Sequence, residues 1–267
     1  MFLTQKALRK IRIMALCYFA LGSFCIAGAL FFANLGENSK LLFVLGAICY
    51  SLCPFIALWG RYAEGKGKLL HLGNKLLRTE LKPNEFIKQY QEIRNSAELV
   101  IGKPSYEVLM LVAMAYDCLD ERENCLVTAD EMIAAAPDKK KTFAKLLKCS
   151  FLFSYDRIDE AEAIVSEARS SKLNFMSQAL LDTIGKSDRA MAIGDYKTVE
   201  AYNLKTLSQT VPKLDPLTKL ILHYKLGEVY EKQEEREKAI FYYQYAVEHA
   251  GETAIKEAAQ SALERLQ

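Results

Sequence analysis

The residues of this chain with the most chemical potential are seven cysteines, three histidines and scattered carboxylates. A metal or catalytic site needs several of them converging, which local sequence usually advertises as close pairs on one helix face or turn. Here His71, His223 and His249 are far apart, and none stands within four residues of a cysteine. Cys17, Cys25, Cys49 and Cys53 fall in apolar runs with no His, Asp or Glu at ligand spacing, and read as packing residues. Cys118 and Cys125 are seven apart across an expected turn. An odd cysteine count in a chain too long to need staples indicates a reducing compartment and argues against a disulfide between them. The run Lys139-Lys140-Lys141 reads as a solvated loop, and Glu234, Glu235 and Glu237 as a charged turn with no pocket for acid-base work. No phosphate-cradling glycine loop, nucleophile elbow or His-Glu-x-x-His occurs. No catalytic residue, metal or cofactor is expected, and the chain reads as a non-enzyme.

Composition narrows the class. The 267 residues hold 35 Lys and Arg against 33 Asp and Glu, a net charge of +2, without the basic field that nucleic-acid binding needs. Half of the residues are hydrophobic, with 13 Gly and only 6 Pro, which excludes disordered and collagenous classes. The charge is split: residues 1–80 hold ten basic and three acidic residues, and residues 81–267 hold 25 and 30. Two regions with different neighbours are implied.

The first region carries two uncharged apolar runs. Residues 13–35 and 41–59 are each long enough, at about 1.5 Å per residue, to cross a hydrocarbon core of roughly 30 Å, and only residues 36–40 separate them. They predict an antiparallel transmembrane hairpin; a cleaved signal peptide has a shorter apolar stretch and no second span. Lys6, Arg9, Lys10 and Arg12 in the basic segment 1–12, and Arg61, Lys66, Lys68, Lys75 and Arg78 after the second span, face Lys40 alone in the loop. Nine against one places both termini in the cytosol and 36–40 outside it. Trp59 and Tyr62 stand where interfacial aromatics anchor a span, and 60–67 reads as a basic juxtamembrane linker. Ser23 with Ala27, Ala29 with Ala33, and Ala47 with Ser51 offer small surfaces for helix approach, and Pro54 predicts a kink. With no ionisable residue inside a span, the hairpin reads as an anchor rather than a channel or transporter.

Beyond it, helices of about a dozen residues alternate with short polar breaks, so the fold class is all-α: a two-helix hairpin followed by a helical-repeat solenoid. Residues 68–99 predict a helical hairpin broken at Lys82-Pro83-Asn84. Residues 220–253 then carry Leu226-Gly227, Tyr230, Ala239, Tyr243 and Ala246. The small residues mark where two antiparallel helices cross closely, and the tyrosines fill the volume beside them. This pattern resembles the tetratricopeptide repeat (TPR) family, with His223 where that family often has Trp and Gly251 where it often has Pro. Fainter copies begin at Tyr106 (Ala113, Tyr116, Cys125, Met132, Pro137), near Thr142 (Cys149, Ala161, Val165, Ala168) and near Leu180 (Gly194-Asp195-Tyr196, Val199, Asn203, Thr206). The starts 106, 142, 180 and 220 are separated by 36, 38 and 40 residues, against about 34 in an ideal array. The repeats occupy 106–251, and 252–267 carries an apolar stripe suited to a capping helix.

The resemblance implies that the first helices of the repeats line a groove that holds a peptide or helix of a partner protein. Its implied lining is Met110, Met114, Asp117 and Cys118; Phe143, Leu146, Ser150 and Phe153; Leu181, Ile184, Asp188 and Met191; and Ile221, Tyr224, Glu228 and Glu231. Such a surface is apolar with acidic spots, and fits an amphipathic segment with basic flanks better than a C-terminal carboxylate. The same side chains also fit the interior of a tightly wound array, or a face covered by the 68–99 hairpin. The expected function is a membrane-anchored scaffold or adaptor for protein partners at the cytoplasmic face, with lipid contacts through the hairpin and no nucleic acid. The alternatives are an assembly subunit of a larger integral membrane complex for secretion, transport or envelope work, and an enzyme whose site the sequence does not display. The compact hairpin and its charge pattern point to a bacterial inner membrane.

Overall fold

The computed structural model describes residues 5–34, 40–95, 104–209 and 213–267. Within the first two of the helices below, the side chains of 5–11, 28, 29, 31–34, 40–43, 54 and 57–64 also fall outside the described set. Lys6, Arg9, Lys10, Lys40, Trp59, Arg61 and Tyr62, the pairing of Ala29 with Ala33, the Pro54 kink and the loop 36–39 therefore lie outside it. Among the described residues there are thirteen α-helices, one π-helical segment and no strand. They divide into two units, residues 1–69 with 91–102 and residues 70–90 with 103–267.

In the first unit, α1 (Gln5–Asn34) runs against α2 (Lys40–Leu72). They approach tightly at Gly22 and Gly46: a Cβ on Gly46 would come within 2.6 Å of the Ile26 side chain, and one on Gly22 within 3.1 Å of Cys49. Absent side chains let the helices close, and polar groups then pair across the gap. Ser23 shares a 2.6 Å hydrogen bond with the Tyr50 hydroxyl, and Cys53 Sγ donates to Ala15 O at 3.4 Å. Phe19 meets Tyr50 edge to face at 5.2 Å. The crossing thus centres on two glycines beside Ser23 rather than on the Ala47–Ser51 pair, because glycine alone removes the whole side chain from the contact. The segment 60–67, expected as a linker, is helical and continuous with α2. The longest runs of described side chains in these helices, 12–27 and 44–53, are shorter than the roughly 20 residues of a span. Among the described residues no helix is long and apolar enough to cross a membrane.

The second unit is built from sequential pairs. α4 (Tyr106–Cys118) packs on α5 (Arg122–Ala135), α6 (Asp138–Ser154) on α7 (Ile158–Arg169), α8 (Phe175–Lys186) with its short continuation α9 (Asp188–Ala192) on α10 (Tyr196–Leu207), and α11 (Pro216–Lys232) on α12 (Arg236–His249). α13 (Ile255–Leu266) covers α12 with Ala259 and Ala262 buried. Helix starts are set by polar caps: Asn174, Asp195 and Asp215 accept from the amides of Ser177, Thr198 and Thr218 at 2.9, 3.2 and 3.0 Å.

All four pairs share one turn. Asp120, Asp156, Gly194 and Glu234 take positive φ of 55°, 58°, 79° and 62°, at intervals of 36, 38 and 40 residues. The residue after each donates its amide back into the preceding helix: Glu121 to Tyr116 O, Arg157 to Leu152 O, Asp195 to Ala190 O and Glu235 to Tyr230 O, at 2.8–2.9 Å. This is the left-handed helix stop, in which a reversed backbone satisfies carbonyls that would otherwise be orphaned. Five residues beyond each turn stand Cys125, Ala161, Val199 and Ala239, all fully buried. Seven residues before it stand Ala113, Cys149, Ser187 and Gly227, also buried. The crossings are tight wherever the sequence supplies a small residue.

The array does not remain open. The π-helical segment Gly73–Thr79 packs on both α4 and α11, with Leu76 and Leu77 buried and Gly73 against Leu111. The chain reverses at Leu81 (φ 56°), and Pro83 opens α3 (Pro83–Asn95), which buries Phe86 and Tyr90. Glu252 N–H donates to Leu81 O at 2.9 Å and Ala254 N–H to Cys118 O at 2.8 Å, so the turn after the last pair returns to the end of the first pair's leading helix. A second helix of the 68–99 hairpin is present as α3, but its expected first helix is the end of α2 plus the π-helical segment.

Two glycine substitutions test the register. A Cβ on Gly227 would sit 2.7 Å from the Tyr243 ring, while one on Gly185 meets nothing within 4 Å. Gly227→Ala is expected to lower unfolding free energy by about 1–3 kcal/mol through overpacking. Gly185→Ala is expected to raise it by about 0.5–1 kcal/mol through helix propensity. Denaturant unfolding followed by far-ultraviolet circular dichroism measures both.

Candidate functional site

The acids expected along the repeat interior converge on one lysine. Lys225, on the leading helix α11, donates to Asp188 Oδ1 at the start of α9 and to Ser187 Oγ at 3.1 Å. Asp188 also accepts from Ser150 Oγ of α6 at 2.6 Å, and its side chain is 6% exposed against 20% for Lys225. Asp117, in the last turn of α4, accepts from the Tyr155 hydroxyl at 2.8 Å and feels the Lys225 charge. Glu228, one turn beyond Lys225, is hydrogen-bonded with Tyr224 and stabilised by the same cation. Three of the four leading helices thus bring a carboxylate toward one ammonium group, and the fourth, α6, brings the Ser150 hydroxyl to the Asp188 carboxylate that pairs with it.

Burial dominates the carboxyl energetics. It pushes Asp117 up to about 6, against relief from the Tyr155 hydrogen bond and Lys225, with Asp188 adding to the rise. It pushes Glu228 up to about 7, opposed by Lys225 and Tyr224 and reinforced by Glu231. Burial disfavours the Lys225 cation, but the Asp188 carboxylate, with Glu228 and Asp117, outweighs it, and the lysine lies above its ordinary value. Glu231 stands apart, accepting from Tyr243 at 2.6 Å and pairing with Arg265 of α13 at 3.2 Å.

The apolar positions are interior. Leu146 and Ile184 are fully buried, Leu181 is buried, and Phe153 is 5% exposed. Met110, Met114 and Phe143 are half-buried against the same core, and Met191 against Ala190, Val199 and Val229. Tyr224 is half-buried with its ring 5.7 Å from Tyr243. Cys118 is buried, and Ile221 half-buried. Of the two arrangements open to these side chains, Leu146, Phe153 and Ile184 take the interior one, Asp117, Asp188 and Glu228 lie around Lys225, and Glu231 pairs with the exposed Arg265. The packing positions Leu226, Gly227, Tyr230, Ala239, Tyr243 and Ala246 are all buried.

Sequence reasoning missed Lys225. The signal was available, since Lys225 lies four residues after Ile221 and three before Glu228, on the face assigned to the groove. His223 is stacked on Tyr245 at 3.6 Å and lowered in basicity by burial. Cys118, Cys125 and Cys149 are free thiols pushed up by burial, Cys125 and Cys149 to about 12, which leaves them unreactive. Among the described residues no group of three His, Cys, Asp or Glu is placed to hold a metal ion.

Comparison of the chain with protein-family models, with curated proteins and with solved structures gives no match in any of the three.

Removing the central cation strands the acids around it. Lys225→Met is expected to cost roughly 2–4 kcal/mol, discounted for the exposed fraction of the lysine, and pairing it with Asp188→Leu should restore much of the loss. A double-mutant cycle of denaturation midpoints checks this. Asp117 and Glu228 hold protons in the folded chain that the unfolded chain, with ordinary values near 4, releases. Their contribution is therefore full below about pH 4 and is lost as pH rises through about 6 and about 7. The urea midpoint should be higher at pH 5 than at pH 8, and Asp117→Asn with Glu228→Gln should flatten that difference.

Proposed function

We propose that this chain is a membrane-anchored scaffold: residues 13–35 and 41–59 cross a bilayer as a hairpin, and 106–251 form a degenerate TPR-like array that presents protein-binding surface at the cytoplasmic face. The observation that carries the reading is where apolar surface remains uncovered. Twelve of the eighteen exposed large apolar side chains among the described residues lie between Ile13 and Phe55, with Leu16, Phe24 and Phe55 about two-thirds or more exposed. The second unit buries its own core instead. Contiguous uncovered apolar surface of that kind is stable in lipid or against other spans, not in water. The positive-φ turn recurring at intervals of 36, 38 and 40 residues supports the repeat assignment, since those are the intervals of the sequence pattern.

With the interior filled, partner contacts are assigned to the outer faces of the helix pairs and not to a groove. The second reading is an assembly subunit of a larger integral membrane complex. It is favoured by the hairpin itself, which packs through Gly22, Gly46 and Ser23 on one side and leaves Leu16, Phe24, Ile48 and Phe55 for neighbouring spans.

Cysteine labelling tests the anchor and its orientation. Ser39→Cys is expected to react with a membrane-impermeant maleimide in intact cells, and Gln267→Cys only after permeabilisation. The reverse pattern would overturn the cytoplasmic placement, and extraction of the chain by alkaline carbonate would overturn the anchor. Purification in mild detergent separates the two readings: co-purifying membrane subunits favour the complex, soluble proteins the scaffold.

A further inference from the structure

The strongest apolar exposure outside the hairpin is a two-residue knob at the start of α8. Phe175 is 85% exposed and Met176 61%. They do not hang from a loose loop. Asn174 caps α8 by accepting from Ser177 N at 2.9 Å, and its amide donates to Lys139 O at 3.1 Å, which ties the knob to the start of α6. Leu173 and Leu180 pack inward on the core and Ser177 is fully buried, so Phe175 and Met176 project because their neighbours are anchored.

Two exposed lysines stand beside the residues that anchor the knob. Lys139 lies across the Asn174 hydrogen bond and Lys172 three residues before Phe175; both are exposed, and neither forms an ion pair among the described residues. The neighbouring lysines are partly neutralised: Lys140 by Glu107 at 3.4 Å, Lys141 by Asp138 at 3.1 Å and Lys145 by Glu167 at 2.6 Å. Lysine remains in excess.

We propose that Phe175 and Met176 insert into the headgroup boundary of an anionic bilayer, with Lys139 and Lys172 on its acidic lipids, giving the second unit its own membrane contact. The shape favours lipid over protein: a projecting apolar knob enters a deformable interface, whereas a protein partner would have to supply a matching pocket. Charge complementarity selects anionic over zwitterionic lipid. Two side chains and two lysines make a weak contact alone, so the inference rests on the membrane-anchored reading, in which the tether supplies the effective concentration.

The full chain carries one tryptophan, Trp59, in the second apolar run, which reports hairpin insertion. A Trp59→Phe, Phe175→Trp chain reports the knob. Each is reconstituted into phosphatidylcholine vesicles with brominated acyl chains, with and without phosphatidylserine. The tryptophan introduced at 175 is expected to be quenched in the phosphatidylserine vesicles and not in phosphatidylcholine alone, and Lys139→Glu with Lys172→Glu should abolish that quenching. Quenching of Trp59 without quenching at 175 overturns the knob and leaves the anchor standing. Quenching at 175 that is equal in both lipids overturns the role of the lysines, and absence of quenching at both positions overturns anchor and knob together. A spectral shift at 175 on adding an acidic soluble protein, without lipid quenching, overturns the proposal in favour of a protein partner.

Discussion

The second unit depends on the placement of one ammonium group. Lys225 sits where the leading helices of the first, third and fourth pairs each bring a carboxylate, and where the second brings Ser150 to Asp188. Without it, Asp117, Asp188 and Glu228 would lie together in a partly dry interior, where like charges cannot all remain ionised. With it, the rise that burial imposes on Asp117 and Glu228 is opposed, and Asp188 is ion-paired. The interaction links helices about forty residues apart in sequence. Exchanging such a charge cluster for hydrophobic packing is often neutral or stabilising, so its physical merit is in specifying one arrangement of helices rather than in raw stability.

A repeat interior used this way has a cost in binding surface. The π-helical segment and the return of Glu252 and Ala254 to Leu81 and Cys118 join the last pair to the first. What remains outside is the outer faces of the pairs and the knob at Phe175 and Met176. The hairpin poses the opposite problem. It spends its glycines and its few polar groups on self-association, Ser23 with Tyr50 and Cys53 with Ala15 O, and leaves large side chains uncovered on its other faces. The contrast between uncovered apolar side chains at 13–55 and the self-buried core of the second unit is what the proposed anchor-and-scaffold reading rests on.

Degeneracy of the repeats has a volumetric explanation. Nine residues beyond each positive-φ turn stand Ala129, Val165, Asn203 and Tyr243, four side chains of very different size, all buried. Each pair fills the same position in its own way: Tyr243 lies over Gly227, while Val165 and Ala129 belong to a shared apolar core. At 203 neither amide atom of Asn203 has a protein hydrogen-bond partner. The backbone turn is conserved between pairs while the side chains are not, which is why the repeat shows clearly in geometry and only once clearly in sequence.

Periodicity and small residues by themselves determined that this protein is helical, that its helices come in pairs near residues 106, 142, 180 and 220, and which positions must be small or aromatic to let them cross. These are local properties, fixed by the 3.6-residue period, by turn chemistry and by the volume available at a crossing. Two apolar runs of 23 and 19 residues likewise set the hairpin apart from the rest of the chain. Only tertiary structure decided which face of the array is inside. Whether Asp117, Asp188 and Glu228 point at solvent or at Lys225, and whether Phe153 and Ile184 line a groove or a core, depends on superhelical curvature and on a segment some thirty residues upstream folding over α4 and α11. Curvature is the accumulated result of small rotations at each crossing, set by pairs of side chains distant in sequence, and no local pattern encodes it.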